Sequence, residues 1–279
     1  MSDEILMPYR SRLNSLPLEL RINIGEVPYQ KGMEAPERRE KVNELLKKYG
    51  IPCDTNIGTG TNRHIIKYDG YVVKIALDKE GVADNKQEWA IGESLQPHVA
   101  YPYEISKGGN MLVAEYVPAF SSFSEMMAYN STIRKILSNW SERYLLGDVG
   151  ITRVNFANWG LSGDGKPKCI DYAYIFPASL DLFKCICGNK TMTISNDFTS
   201  YKCTACNKRY EDRELRMRIS QQERLRLFEN VSGICMKEET EMHPVDPKYI
   251  KVDDNPDLPN PYETAINVAK HMGFGFDNL

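Results

Sequence analysis

Apolar positions come in short runs over residues 55–76: Ile57, Ile65-Ile66 and Val72-Val73. Gly58-Thr59-Gly60 separates the first two, and Asp69-Gly70 the second pair. Asp-Gly between β-rich runs signals a hairpin, because both central residues of a type I′ turn need φ > 0. A second hairpin is expected from Tyr101–Ile105 and Met111–Val117, joined by Lys107-Gly108-Gly109-Asn110. Between the hairpins, Glu88, Ile91 and Leu95 fall on one face of a helix for which Asp84 is the expected N-cap. These elements predict a five-stranded antiparallel lobe with one helix.

The flanks read as follows. Residues 1–34 place Leu18, Leu20, Ile22 and Ile24 in alternation, which predicts an extended arm packed on its neighbour. Pro36 opens a helix carrying Val42, Leu45, Leu46 and Tyr49, and Gly50 with Pro52 closes it. Further on, Thr132–Leu145 is an amphipathic helix, and residues 158–161 and 168–171 form a hairpin around Ser162-Gly-Asp-Gly165. Glu211–Glu229 reads as a charged helix bearing Arg213, Arg216, Arg218, Arg224 and Arg226, either a solvated face or a grip for nucleic acid or an acidic partner. Residues 238–261 are acidic and proline-rich, a surface loop. Asn260-Pro-Tyr-Glu263 is a capping box that opens a terminal helix.

Two charged residues change the picture. Lys74 stands inside an apolar strand, where an ammonium is costly without an anionic partner. Glu88 lies on the apolar side of the following helix, and a carboxylate there wants a cation; each is the obvious partner of the other. Gly58 and Gly60 admit two readings, a plain turn or a backbone cradle for an anion.

Composition narrows the classes. A chain of 279 residues with net charge −3 is not built chiefly to coat nucleic acid. It has no run of eighteen apolar residues and no basic-then-apolar leader, so a soluble cytoplasmic protein with no membrane contact is expected. Four of the seven cysteines cluster as Cys185-Ile-Cys187 and, fifteen residues on, Cys203-Thr-Ala-Cys206. Between them, Thr191–Ile194 and Phe198–Lys202 alternate around Ser195-Asn-Asp197, a hairpin signal. Two cysteine pairs on a hairpin offer four thiolates to a tetrahedral structural Zn2+, and the arrangement resembles a zinc ribbon. The first pair is C-x-C where C-x2-C is usual. Cys53, Cys169 and Cys235 read as core or surface thiols.

On these residues the chain resembles a protein-kinase-like phosphotransferase. Ile57-Gly58-Thr59-Gly60 is similar to a shortened glycine-rich loop, with Arg63 where the third glycine would stand. Val72-Val73-Lys74 resembles the lysine strand, Glu88 its helix partner, and Ala114-Glu115-Tyr116-Val117 the hinge that hydrogen-bonds adenine. Leu146-Gly147-Asp148 carries the aspartate of the catalytic loop without the usual His-Arg. The family's asparagine is expected five residues on, where Arg153 stands; aligning Asn158 instead implies an insertion of five residues. Asp171-Tyr172-Ala173 stands where Asp-Phe-Gly would.

The resemblance implies an α+β, bilobal kinase-like fold with a small zinc ribbon inserted in the C-lobe. Its parts are an arm and helix (1–52), an N-lobe (53–117), a C-lobe core (118–183), the ribbon (184–210) and a helical remainder (211–279). It implies ATP held by Gly58, Gly60, Lys74, Glu115 and Val117, Mg2+ on Asn158 and Asp171, and Asp148 as the base toward an acceptor hydroxyl. Three activities follow as expectations: phosphoryl transfer to a protein or small molecule, a pseudokinase scaffold docking a protein through ribbon or arm, or nucleotidyl transfer. The compactness resembles short kinase-like proteins of bacteria and their phages.

Overall fold

The computed structural model describes residues 11–51, 60–178, 185–189 and 192–211. The first predicted strand with Gly58, the arginine-rich helix beyond residue 211 and the terminal helix lie outside these residues.

Both predicted N-terminal hairpins form. Strand β1 (Arg63–Tyr68) pairs antiparallel with β2 (Tyr71–Ala76) through a tight turn in which Asp69 and Gly70 have φ of 50° and 80°. β3 (Pro102–Ile105) pairs with β4 (Met111–Glu115), and β4 closes on β2, giving a four-stranded sheet of order β1-β2-β4-β3.

The register sorts the side chains. Residues paired across an antiparallel ladder share a face, and the faces alternate along each strand. Arg63 is opposite Ala76 and Ile65 opposite Lys74, so both cations occupy one face. Ile66, Val73 and Ile75 turn to the other, where they join Leu20, Ile24, Val42 and Leu46 in a closed apolar core.

The arm expected to be extended is helical. α1 spans Leu18–Glu26, preceded by a short 3-10 turn at Leu13–Ser15, and α2 spans Ala35–Lys48. The alternation of residues 18–24 misleads because it is also two interleaved i, i+4 pairs. Leu20 and Ile24 are fully buried, whereas Leu18 and Ile22 are 64% and 55% exposed. The arm is tied to the sheet by the buried Glu104 carboxylate, which accepts from the Arg12 and Leu13 N–H groups at 2.8 and 3.1 Å and from the Ser11 hydroxyl. The Arg12 guanidinium lies over the Tyr71 and Tyr103 rings.

The third helix, α3 (Lys79–Gly92), begins earlier than expected. Its N-cap is Asp78, whose carboxylate accepts from the Gly81 N–H at 2.8 Å; Asp84 is buried inside the helix. Gly81 permits close contact with the sheet, since a Cβ there would stand 2.2 Å from the Asn62 carbonyl oxygen. α3 presents the buried Glu88 toward the sheet and contributes Ile91 to a second core, which Leu95 joins just beyond the helix end.

That second core gathers α5 (Asn130–Ser141), which follows the short α4 (Phe123–Met127), with β5 (Tyr144–Leu146) and the hairpin of β6 (Trp159–Leu161) and β7 (Pro167–Cys169). The predicted helix to Leu145 stops at Ser141 because residues 144–146 pair with β8 (Ile175–Pro177). A third cluster lies under a three-stranded sheet of β9 (Met192–Ile194), β10 (Ser200–Cys203) and β11 (Arg209–Glu211). Glu211, expected to open a helix, is the last residue of β11. Among the described residues, no helix is long and apolar enough to cross a membrane. The arrangement is a mixed α and β fold with several small antiparallel sheets.

Candidate functional site

Lys74 and Glu88 meet as their burial demanded. Lys74 Nζ is 2.5 Å from Glu88 Oε2, with side chains 7% and 0% exposed. The same ammonium donates to the Ile170 carbonyl at 2.6 Å, which fixes it one residue from Asp171.

Arg63 joins them from β1. Its Nη1 is 2.9 Å from Glu88 Oε1 and its Nη2 2.9 Å from Asp171 Oδ1, so one guanidinium spans two carboxylates. Glu88 therefore holds a cation on each oxygen. Asn85, fully buried, bonds the Lys74 and Gly109 carbonyls and completes the frame. Burial disfavours the Arg63 charge, but Glu88, Asp171 and Asp84 outweigh it and raise its pKa. At Asp171 burial pushes the carboxyl up; Arg63 and Lys74 reverse this and hold it below its ordinary value. Lys74 stands out in sequence because it lies inside an apolar strand; Arg63 is the first residue of its strand, beside His64, and stands out only as a departure from the glycine pattern.

The remaining aspartate and asparagine are linked to this centre through the backbone. The Asn158 carbonyl accepts from the Ile170 and Asp171 N–H groups at 2.8 and 3.4 Å across the β6–β7 hairpin. The Asn158 amide donates to the Asp148 carbonyl at 2.7 Å. Asp148 adopts φ 59°, a left-handed conformation that Asp tolerates better than most residues. Lys74, Glu88, Asp148, Asn158 and Asp171 are thus brought into one connected region.

Glu115 is the last residue of β4, and the buried Val117 follows two residues on. The Glu115 carboxylate takes Lys168 Nζ at 2.6 Å and the Tyr101 N–H at 3.1 Å, a contact that ties this segment to β7. Gly60 is described, and its carbonyl accepts from Arg39 at 2.7 Å; Gly58 is outside the described residues. Cys169 is buried beside the centre, and burial, then the charges of Asp171 and Glu88, push its thiol far up, so it is no nucleophile.

The four predicted cysteines form a second constellation. All four Sγ atoms lie within 4.8 Å of one another, with Cys185 to Cys206 at 3.3 Å and Cys187 to Cys203 at 3.6 Å. Thiolates about 3.8 Å apart are what a tetrahedral ion with Zn–S bonds of about 2.3 Å requires, so the cluster fits a metal. Gly188 at φ 84° turns the shortened first pair. Tyr210 donates its hydroxyl to Cys185 Sγ at 3.0 Å and Asn189 its amide to Cys203 Sγ at 3.4 Å. Backbone N–H groups of Cys206 and Ala205, with the Asn189 amide, draw the Cys203 thiol down to about 6 against desolvation.

This cysteine-bearing sheet rests on the Asp148 loop, a relation the sequence did not disclose. The buried Tyr201 hydroxyl accepts from the Leu146 N–H and donates to the Leu146 carbonyl at 3.1 Å. The Ile151 N–H donates to the Asp197 carbonyl at 3.1 Å, and Gly150 lies so close that a Cβ would stand 2.7 Å from the Phe198 oxygen.

Comparison with protein-family models and with curated proteins gives no match for this chain.

Proposed function

We propose that the chain is an ATP- and Mg2+-dependent phosphotransferase of protein-kinase-like, bilobal α+β architecture, with a structural zinc ribbon set into its second lobe. One observation carries the reading: a buried lysine–glutamate pair whose ammonium also touches the residue preceding Asp171. A buried, fixed cation at that place is what phosphate positioning calls for, since phosphoryl transfer depends on fixed charge more than on covalent chemistry.

In this reading Lys74, steadied by Glu88, contacts the α- and β-phosphates. The backbone of Glu115 and Val117 receives the adenine, and Gly58 and Gly60 cover the phosphates. Asp148 accepts the proton of the acceptor hydroxyl. Asp171 and Asn158 offer oxygen donors, suited to a hard cation, and the Asp171 side chain keeps 42% of its surface open. Mg2+ held there supplies charge neutralisation to the phosphates. The cysteines hold Zn2+ in a closed site that leaves no position for substrate.

A catalytically impaired scaffold, docking a protein through the ribbon or the N-terminal arm, is the second reading. It is favoured by the pairing of Asp171 with Arg63. One experiment separates the two: purified protein with Mg2+ and ATP labelled at the α- or γ-phosphate. Transfer of the γ label supports the phosphotransferase, transfer of the α label indicates a nucleotidyl transferase, and a melting shift without transfer indicates the scaffold.

A further inference from the structure

Arg63 is the buried group at this site for which the proposed reaction gives no role. It enters from β1 on the same sheet face as Lys74 and is 4% exposed. It reaches past Glu88, which already has Lys74, to grip Asp171. Lys74 and Arg63 are thus matched directly by Glu88 and Asp171 without any bound ion, and the buried Asp84 carboxylate adds further negative charge near Arg63. A divalent cation on the half-exposed Asp171 would have to displace a guanidinium or sit against it, and like charges a few ångströms apart disfavour each other, the more so where one of them is buried as Arg63 is.

We propose that Arg63 is a cationic latch on Asp171: guanidinium and divalent metal compete for one carboxylate, so the site receives nucleotide phosphates ahead of metal. The inference rests on the nucleotide reading above and deepens it. Before nucleotide binds, Arg63 keeps Asp171 closed to free metal. Arriving phosphate oxygens offer the guanidinium a bidentate partner of their own, and Arg is suited to exchange carboxylate for phosphate because both match its planar fork. Released from Arg63, Asp171 becomes available as a ligand. Metal and nucleotide then bind in a set order, and metal alone binds poorly.

The test uses opposed signs that a merely structural role would not produce. Binding of Mn2+ alone is followed by electron paramagnetic resonance, and binding of ATP in chelator by calorimetry, for wild type, Arg63→Met and Arg63→Gln. Removing a unit charge beside a carboxylate changes its cation affinity by about tenfold or more. Both variants are therefore expected to bind Mn2+ about tenfold tighter and metal-free ATP correspondingly weaker. Arg63→Gln keeps hydrogen-bonding capacity toward Glu88 and Asn85, and serves if Arg63→Met does not fold. The latch is overturned alone if wild type is stabilised by Mg2+ and ATP while neither variant binds Mn2+ more tightly. It falls together with the nucleotide reading if no form binds Mn2+ or ATP.

Discussion

The Lys74 ammonium and the Glu88 carboxylate stand 2.5 Å apart at the meeting of β2 and α3, with Glu88 wholly withdrawn from water. Glu88 also faces Arg63, so the two partners are not equivalent. Glu88→Gln leaves two buried cations facing a neutral amide and should destabilise the fold by about 3–5 kcal/mol. Lys74→Met leaves Glu88 with Arg63 and should cost less. Urea unfolding of the two variants checks the order; equal losses would refute this account of the pair.

His64 gives a pH dependence with a definite sign. It is 2% exposed, and neither ring nitrogen has a hydrogen-bond partner among the described residues. Burial, then the nearby Arg39 charge, lower its pKa to about 4 from an ordinary 6.5. The folded protein keeps this imidazole neutral while the unfolded chain takes up a proton. Stability is therefore untouched above pH 6.5 and falls between about 6.5 and 4, by about 3 kcal/mol in all. Melting curves for wild type and His64→Leu should diverge in slope over that window. Parallel curves would show that other groups set the acid limit.

Native mass spectrometry of protein prepared with zinc should find one metal ion per chain, as a single four-thiolate site requires. Cys203→Ser should abolish that mass increment. Retention of the ion by the variant would place the metal elsewhere.

Tyr201→Phe removes the hydroxyl that satisfies both backbone groups of Leu146. The buried N–H left without a partner should cost about 1–3 kcal/mol. Gly150→Ala should disturb the same joint by pushing against Phe198. If the phosphotransferase reading holds, both changes lower turnover more than ATP affinity, since they touch the Asp148 loop and leave the Lys74 frame alone. Steady-state kinetics beside calorimetric ATP binding distinguishes these effects.

Local chemistry was legible where one residue type forces one geometry. Asp69-Gly70 must turn, Lys74 and Glu88 must find counter-charges, and four cysteines at ribbon spacing must converge. What the sequence hid depends on elements distant along the chain. Residues 18–24 satisfy both a strand and a helix period, and only the apolar back of the sheet selects the helix. Asp78 and Asp84 are equally good caps in isolation, and the end of β2 at Ala76 decides for the first. Arg63 and Asp171 are 108 residues apart, so no local pattern could join them. The seating of Tyr201 on Leu146 spans 55 residues and was invisible for the same reason.

That last contact has a consequence for the order in which the molecule is made. Synthesis delivers β5 and the Asp148 loop well before Tyr201, and domains tend to organise from the N-terminus as they emerge. Until β10 is complete, the Leu146 N–H lacks the hydroxyl that later satisfies it, and the loop lacks its support at Ile151. β10 in turn ends on Cys203, a residue of the cysteine cluster. If the four cysteines hold a metal ion, as their geometry allows, its capture becomes a late checkpoint of assembly, and a nascent chain starved of that ion would carry the lysine–glutamate frame already built and the Asp148 loop still unset.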